Sequence, residues 1–110
     1  MLQTLQKPWQ FRQVYRRGKK IDCKYAVLFY YRTGDPDDGP QFGFVASKRL
    51  GGAVKRSRAK RLLRVCARAT RWKHRDLWLV FVARAGITDI KSQELLAEIA
   101  PKLEKEELSR

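Results

Sequence analysis

The chain has 110 residues, 44% of them hydrophobic, with three Trp, four Tyr and five Phe, so it can bury one modest core and is neither long enough for two nor composed like a disordered basic tail. Its net charge of +14 repels itself in any compact state, and that cost is offset when a polyanion binds, nucleic acid first and an anionic membrane surface second. No apolar run reaches the roughly 18 residues of a membrane span, and MLQTLQKPWQFRQ lacks a signal-peptide apolar stretch. Cys23 and Cys66 have neither the spacing of a zinc site nor the number for a disulfide framework. The expectation is a cytoplasmic protein, away from membranes, forming a single domain over residues 1–110.

Lys7-Pro8 opens the first predicted helix and Gly18 is placed to end it. Within it, Phe11 and Tyr15 fall one turn apart on a shared face. Two aromatics at this spacing are ordinary core residues or a platform for stacking, and the spacing alone leaves both readings open.

YAVLFYYR, residues 25–32, is rich in aromatic and β-branched residues and stops at the turn cluster TGDPDDGP. QFGFVASK follows as a second strand, and the turn between them predicts an antiparallel hairpin. Gly43 inside that strand signals a close backbone approach or a bulge. Gly51-Gly52 then breaks the chain, and a helix is predicted from about Ala53 to Arg71. LWLVFVA, residues 77–83, is apolar on both faces and reads as a central strand. A last helix is predicted over Ser92 to Leu108, with Leu95, Leu96, Ile99 and Leu103 at helical spacing and Pro101 expected to kink or divide it.

The basic field belongs to the middle of this series. No acid occurs between Asp38 and Asp76, and seven of the eleven acids lie from Asp76 onward. On a helical projection Arg56, Lys60, Arg61, Arg64, Arg68 and Arg71 share an arc of roughly 140°. Ala59, Leu62, Leu63, Cys66, Ala69 and Thr70 fall opposite, so one face is core and the other cation. A solvated helix face usually mixes signs at i,i+4, whereas this one sets like against like. Membrane binding would need the apolar face that must cover a sheet, and no helix-turn-helix or zinc-finger frame for duplex DNA is evident. RNA, bound through backbone contacts and stacking, fits better.

GGAVKRSRAKRLLR closely resembles the signature of the bacterial ribonuclease P protein component family, in which a Gly/Asn-Ala-Val step precedes an Arg-Asn-Arg triplet and a Lys-Arg pair. FRQVYRRGKK, YAVLFYY, FGFVASKRLGGAV and LWLVFVAR are similar to that family's first helix and its strands, in the same order. The resemblance implies an α/β (α+β) two-layer sandwich, a central mixed sheet of about four strands packed by helices. It also implies a left-handed βαβ crossover, against the usual hand, and a short extra strand near Lys20 to Lys24.

It further implies two partners, a catalytic RNA and precursor tRNA, whose 5′ leader the RNA removes with Mg²⁺ that it holds mainly itself. No protein partner is indicated. By matched position Arg56, Ser57, Arg58 and Arg61, with Lys48 and Arg49 beside them, would contact the catalytic RNA. Phe11, Tyr15, Phe29, Lys60, Arg64 and Arg68 would line a leader cleft between the sheet and the basic helix. Ser57 replaces the family's Asn, and the chain ends in the acidic EKEELSR. A basic protein of another ribonucleoprotein particle, such as a ribosomal protein, is the alternative. A stand-alone nuclease would need a general base and acid, or paired carboxylates. His74 is the only histidine, and Asp35, Asp37 and Asp38 sit where a turn wants Asp for backbone reasons.

Overall fold

Pro8 can begin a helix because the first helical position needs no N–H. In the computed structural model, which describes residues 2–110, α1 spans Pro8–Arg17. The Gln10 side chain accepts from the backbone N–H of Gln6 and of Lys7, each at 3.0 Å, and so satisfies two donors ahead of the first turn. Gly18 ends the helix where backbone comes too close for a side chain: a Cβ there would lie 2.4 Å from the carbonyl oxygens of both Tyr30 and Val14.

Five strands make one mixed sheet. They are β1 (Gln3–Thr4), β2 (Lys19–Asp22), β3 (Ala26–Arg32), β4 (Gln41–Val45) and β5 (Leu77–Ala83), in the order β1-β4-β5-β3-β2. β2 is the strand the resemblance implied, slightly earlier than expected, and β1 is a two-residue addition that sequence reasoning did not find.

The predicted hairpin does not form. β5 lies between its two arms, antiparallel to β3 and parallel to β4. The reason is burial: Leu77, Leu79, Phe81 and Ala83 point to one face of β5 and Trp78 and Val80 to the other, and all are buried. Such a strand needs a neighbour on each side, and residues 33–40 are long enough to carry the chain across it. Asp76 fixes that crossing by accepting from Arg32 Nε at 3.0 Å and from the Gly34 N–H at 3.2 Å, bonds that hold its carboxyl below the usual carboxylate range.

α2 (Ala53–Ala69) joins the parallel neighbours β4 and β5, and α3 (Ser92–Lys105) packs beside it on the same face. Between them and the sheet lies the larger core, centred on Leu28, Leu63, Leu79, Phe81, Ile99 and Leu103. α1 covers part of the opposite face, burying its own Val14 in one cluster with Trp78 and Val80. Truncating a fully buried leucine such as Leu63 to Ala would cost about 2–5 kcal/mol.

Three details of the helices differ from expectation. α2 stops at Ala69 because the Thr70 hydroxyl donates to the Cys66 carbonyl at 2.8 Å and Trp72 Nε1 to the Ala67 carbonyl at 3.0 Å, closing the last turn from outside. Ala67, on the cationic side of the projection, is buried beneath that Trp72 cover, while Ala69 is exposed. α3 continues through Pro101 undivided, since the proline is exposed while Leu95, Ile99 and Leu103 hold both halves against the core.

Candidate nucleic-acid interface

Gly51 adopts φ +131°, a region that side chains disfavour, and this lets the chain leave the 3₁₀ turn Lys48–Leu50 and enter α2. The helix then buries Ala59, Leu62, Leu63, Cys66 and Ala67. Its seven cations cannot follow them inside. Arg56, Lys60 and Arg64, one above another, are half-buried at the margin of the core, while Lys55, Ser57, Arg58, Arg61 and Arg68 are exposed. Lys48 and Arg49 are exposed in the preceding turn.

None of these cations meets a carboxylate among the described residues. The ion pairs there are Lys20–Asp22, Arg32–Asp76, Arg84–Asp22 and Lys102–Glu98, all away from α2. Arg58 Nε donates to the Thr88 carbonyl at 3.3 Å. Arg56 Nε is buried without an acceptor among the described residues. The Arg64 guanidinium lies 5.4 Å from the centre of the Phe44 ring, a cation–π contact that aims it along the sheet margin.

The predicted aromatics do gather, but under α1. Tyr15 meets Phe29 edge to face with ring centres 5.0 Å apart, and Phe11 lies on the backbone of Gly43. Gly43 therefore marks a close approach of a ring, and a Cβ there would fall 2.5 Å from Phe11 Cε1. Tyr15 is 41% exposed, and partial burial raises its phenol pKa. Val45 and Val82, half-buried, extend this apolar floor. Trp9, 50% exposed and 5.7 Å from Trp78, adds an aromatic that helical spacing alone did not single out.

This geometry corrects the expected cleft. The aromatic cluster lies between the sheet and α1, and the cations lie on the other face with α2, so β4 divides them: Phe11 touches it at Gly43 and Arg64 covers it at Phe44. β1 pairs with β4 only at Gln41 and Phe42, which leaves Gly43 to Val45 as an unpaired sheet edge between the two halves. An extended polymer could pass from the rings around this edge to the α2 cations without crossing a covered strand. Arg68 does not join either half; it lines a hollow at the far end of α2 with Phe42 and Trp72.

His74 Nε2 is 2.9 Å from the Glu107 carbonyl, to which it donates, and Asp35 accepts from the Asp37 N–H at 2.9 Å. Burial pushes both thiols, Cys23 and Cys66, up to about 11. No helix among the described residues is long and apolar enough to cross a membrane.

A mixed α+β sheet carrying a polycationic helix without carboxylate partners and a partly exposed aromatic cluster has the character of a nucleic-acid-binding protein. Comparison with known proteins narrows the class. The family model described as Ribonuclease P matches residues 2–107. A ribonuclease P protein component from Pelotomaculum thermopropionicum is 33% identical over 100% of this chain and 97% of its own length. One from Clostridium novyi is 34% identical over 84% of this chain and 83% of its own. The Staphylococcus aureus RNase P protein superposes with a TM-score of 0.80 at 18% identity over the whole of both chains. The Thermotoga maritima protein gives 0.77 at 19% identity over 94% of this chain and 96% of its own. This chain belongs to the ribonuclease P protein component family.

Proposed function

We propose that the chain is the protein subunit of a cytoplasmic ribonuclease P, in which it binds a catalytic RNA and the 5′ leader of precursor tRNA while the RNA performs the cleavage. Family membership supports the assembly, and the α2 cation row without carboxylate partners is the observation that carries the contact with RNA. Arg56, Ser57, Arg58 and Arg61, with Lys48 and Arg49, face the catalytic RNA. Ser57 offers one hydroxyl where the family's Asn would offer an amide, so it makes a shorter and less directional contact.

Phe11, Tyr15 and Phe29 take the leader bases, and Lys60 and Arg64 take its phosphates around the β4 edge. Arg68, which lines the hollow at the far end of α2, lies outside this track. Stacking contributes about 1–3 kcal/mol per base and asks for no particular sequence, which suits a protein that meets many leaders. In this reading Mg²⁺ is held mainly by the RNA subunit. The protein's share is then affinity and alignment of the leader.

The test mixes purified protein and precursor tRNA with and without a bacterial ribonuclease P RNA at low Mg²⁺. The expected result is cleavage at the mature 5′ end only with the RNA present, stimulated by the protein. Cleavage by the protein alone, or no stimulation, refutes the reading. Arg56→Ala with Arg58→Ala should weaken assembly with the catalytic RNA, whereas Phe11→Ala with Tyr15→Ala should reduce the preference for precursor over mature tRNA. Failure of both pairs at one step to one degree removes the division of roles.

A further inference from the structure

At the end of α2, on the sheet face away from the Phe11–Tyr15–Phe29 cluster, a hollow of about 540 Å³ opens between the N-terminal strand and the helix. That size lies within the roughly 300–1,000 Å³ of small-molecule sites. Its floor is apolar, built from Leu2, Pro40, Phe42 and Trp72. Trp72 is half-buried and backed by the buried Phe42, with ring centres 5.1 Å apart, so one indole is held firmly while part of it still faces solvent.

The charged residues on the lining are Arg68 and Arg75; no acid lines the hollow. Neither arginine forms an ion pair among the described residues. Arg75 Nε donates to the Pro36 carbonyl at 3.3 Å, which anchors the side chain and leaves its terminal nitrogens as donors. Trp72 Nε1 and the Thr70 hydroxyl are already spent on the carbonyls that end α2. What remains for a ligand is an apolar surface, two guanidinium groups and the exposed Gln3 amide at the rim. An inorganic anion would leave the floor unused, and an apolar peptide would leave the arginines unused.

We propose that this hollow binds one unpaired nucleotide of a bound RNA, its base stacked on Trp72 and its phosphate between Arg68 and Arg75. The inference rests on the RNA-binding reading above and extends it to a second contact, at the far end of α2 from the Arg56–Ser57–Arg58 triplet.

The full-length ¹⁵N-labelled protein is titrated at low salt with 5′-AMP, adenosine and inorganic phosphate, following the indole N–H of Trp72 and the Nε–H of Arg68 and Arg75 by NMR. The expected result is that 5′-AMP moves all three signals and binds roughly five- to a hundredfold more tightly than phosphate, the worth of one stacked base. Arg68→Gln with Arg75→Gln, both on surface side chains, should bring 5′-AMP down to the affinity of adenosine. Equal binding of phosphate and 5′-AMP, equal binding of adenosine and 5′-AMP by the unmodified protein, or a motionless Trp72 signal overturns the proposal. A five-residue oligouridylate separates it from the functional reading. Signals around Phe11 and Tyr15 that move while Trp72 stays still sink this inference alone, and silence at both places sinks both.

Discussion

Gly43→Ala tests the contact that builds the aromatic half of the interface. The added methyl carbon would lie 2.5 Å from Phe11 Cε1 and 2.9 Å from Cζ. Carbon atoms rest at about 3.5–4.0 Å, so the ring must withdraw by ~1 Å. β4 cannot yield easily, because it is hydrogen-bonded to β5 from Gln41 to Val45. The displacement therefore falls on Phe11 and α1, and overpacking of this kind costs about 1–3 kcal/mol. Replacing glycine also restricts the unfolded chain, which returns about 0.4–1 kcal/mol, so a net loss of ~1–2 kcal/mol is expected. Urea unfolding of Gly43→Ala, Phe11→Ala and the double variant measures it. With the ring gone, the new methyl meets open space and the second substitution should be neutral or stabilising, a coupling of at least ~1 kcal/mol. Leader RNA should bind Gly43→Ala more weakly, because Phe11 has left its seat. An equal cost of Gly43→Ala with and without Phe11 would refute the contact and, with it, the placing of this wall.

Lys60→Ala combined with Arg64→Ala should lower the slope of log K against log salt for a single-stranded leader by about 1.4, at ~0.7 for each phosphate left without its cation, measured by fluorescence anisotropy across a salt series. An unchanged slope removes these side chains from the phosphate track. Tyr30 Oη donates to Glu106 Oε1 at 2.7 Å, so Tyr30→Phe should cost about 1 kcal/mol in chemical unfolding at neutral pH. Burial first, and the Glu106 bond second, push the Tyr30 phenol up to about 12 from an ordinary 10.0. Between those values the folded state keeps a proton that the unfolded state has lost, so stability falls as pH rises through the window. Thermal melts across it should show a shallower fall for Tyr30→Phe; parallel curves would contradict the sign.

Helix ends were legible where a residue's backbone chemistry decides them. Pro8 opens α1 and Gly51, at φ +131°, precedes α2 as their φ preferences dictate, while Gly18 closes α1 because two backbone carbonyls leave no room for a side chain. The two faces of α2 were legible too, except at Ala67, whose burial depends on Trp72 reaching back from outside the helix, and at Ala69, which was expected in the core and is exposed. Strand pairing was not. A turn-rich linker between two β-rich runs looks like a hairpin locally, and what overrides it is the doubly apolar LWLVFVA, whose demand for two neighbours is a property of the whole sheet. For the interface, residue types and helical spacing grouped the α2 cations and paired Phe11 with Tyr15, while Phe29 came only from the resemblance. They could not place them on opposite faces of β4, since that depends on which layer each helix occupies, and they gave no sign that Arg68 and Trp72 meet.

The insertion of β5 between β3 and β4 also dictates the order in which the molecule can be made. The sheet's middle member is synthesised last of the five, so a ribosome that has delivered residues up to 76 holds two arms with nothing between them and a charged helix with no floor. Local hairpin closure, the fast route to β-structure, is closed to this pair, and the sheet must assemble through contacts distant in sequence. A fragment ending before Leu77 would therefore lack both halves of the RNA surface at once, however complete its motif.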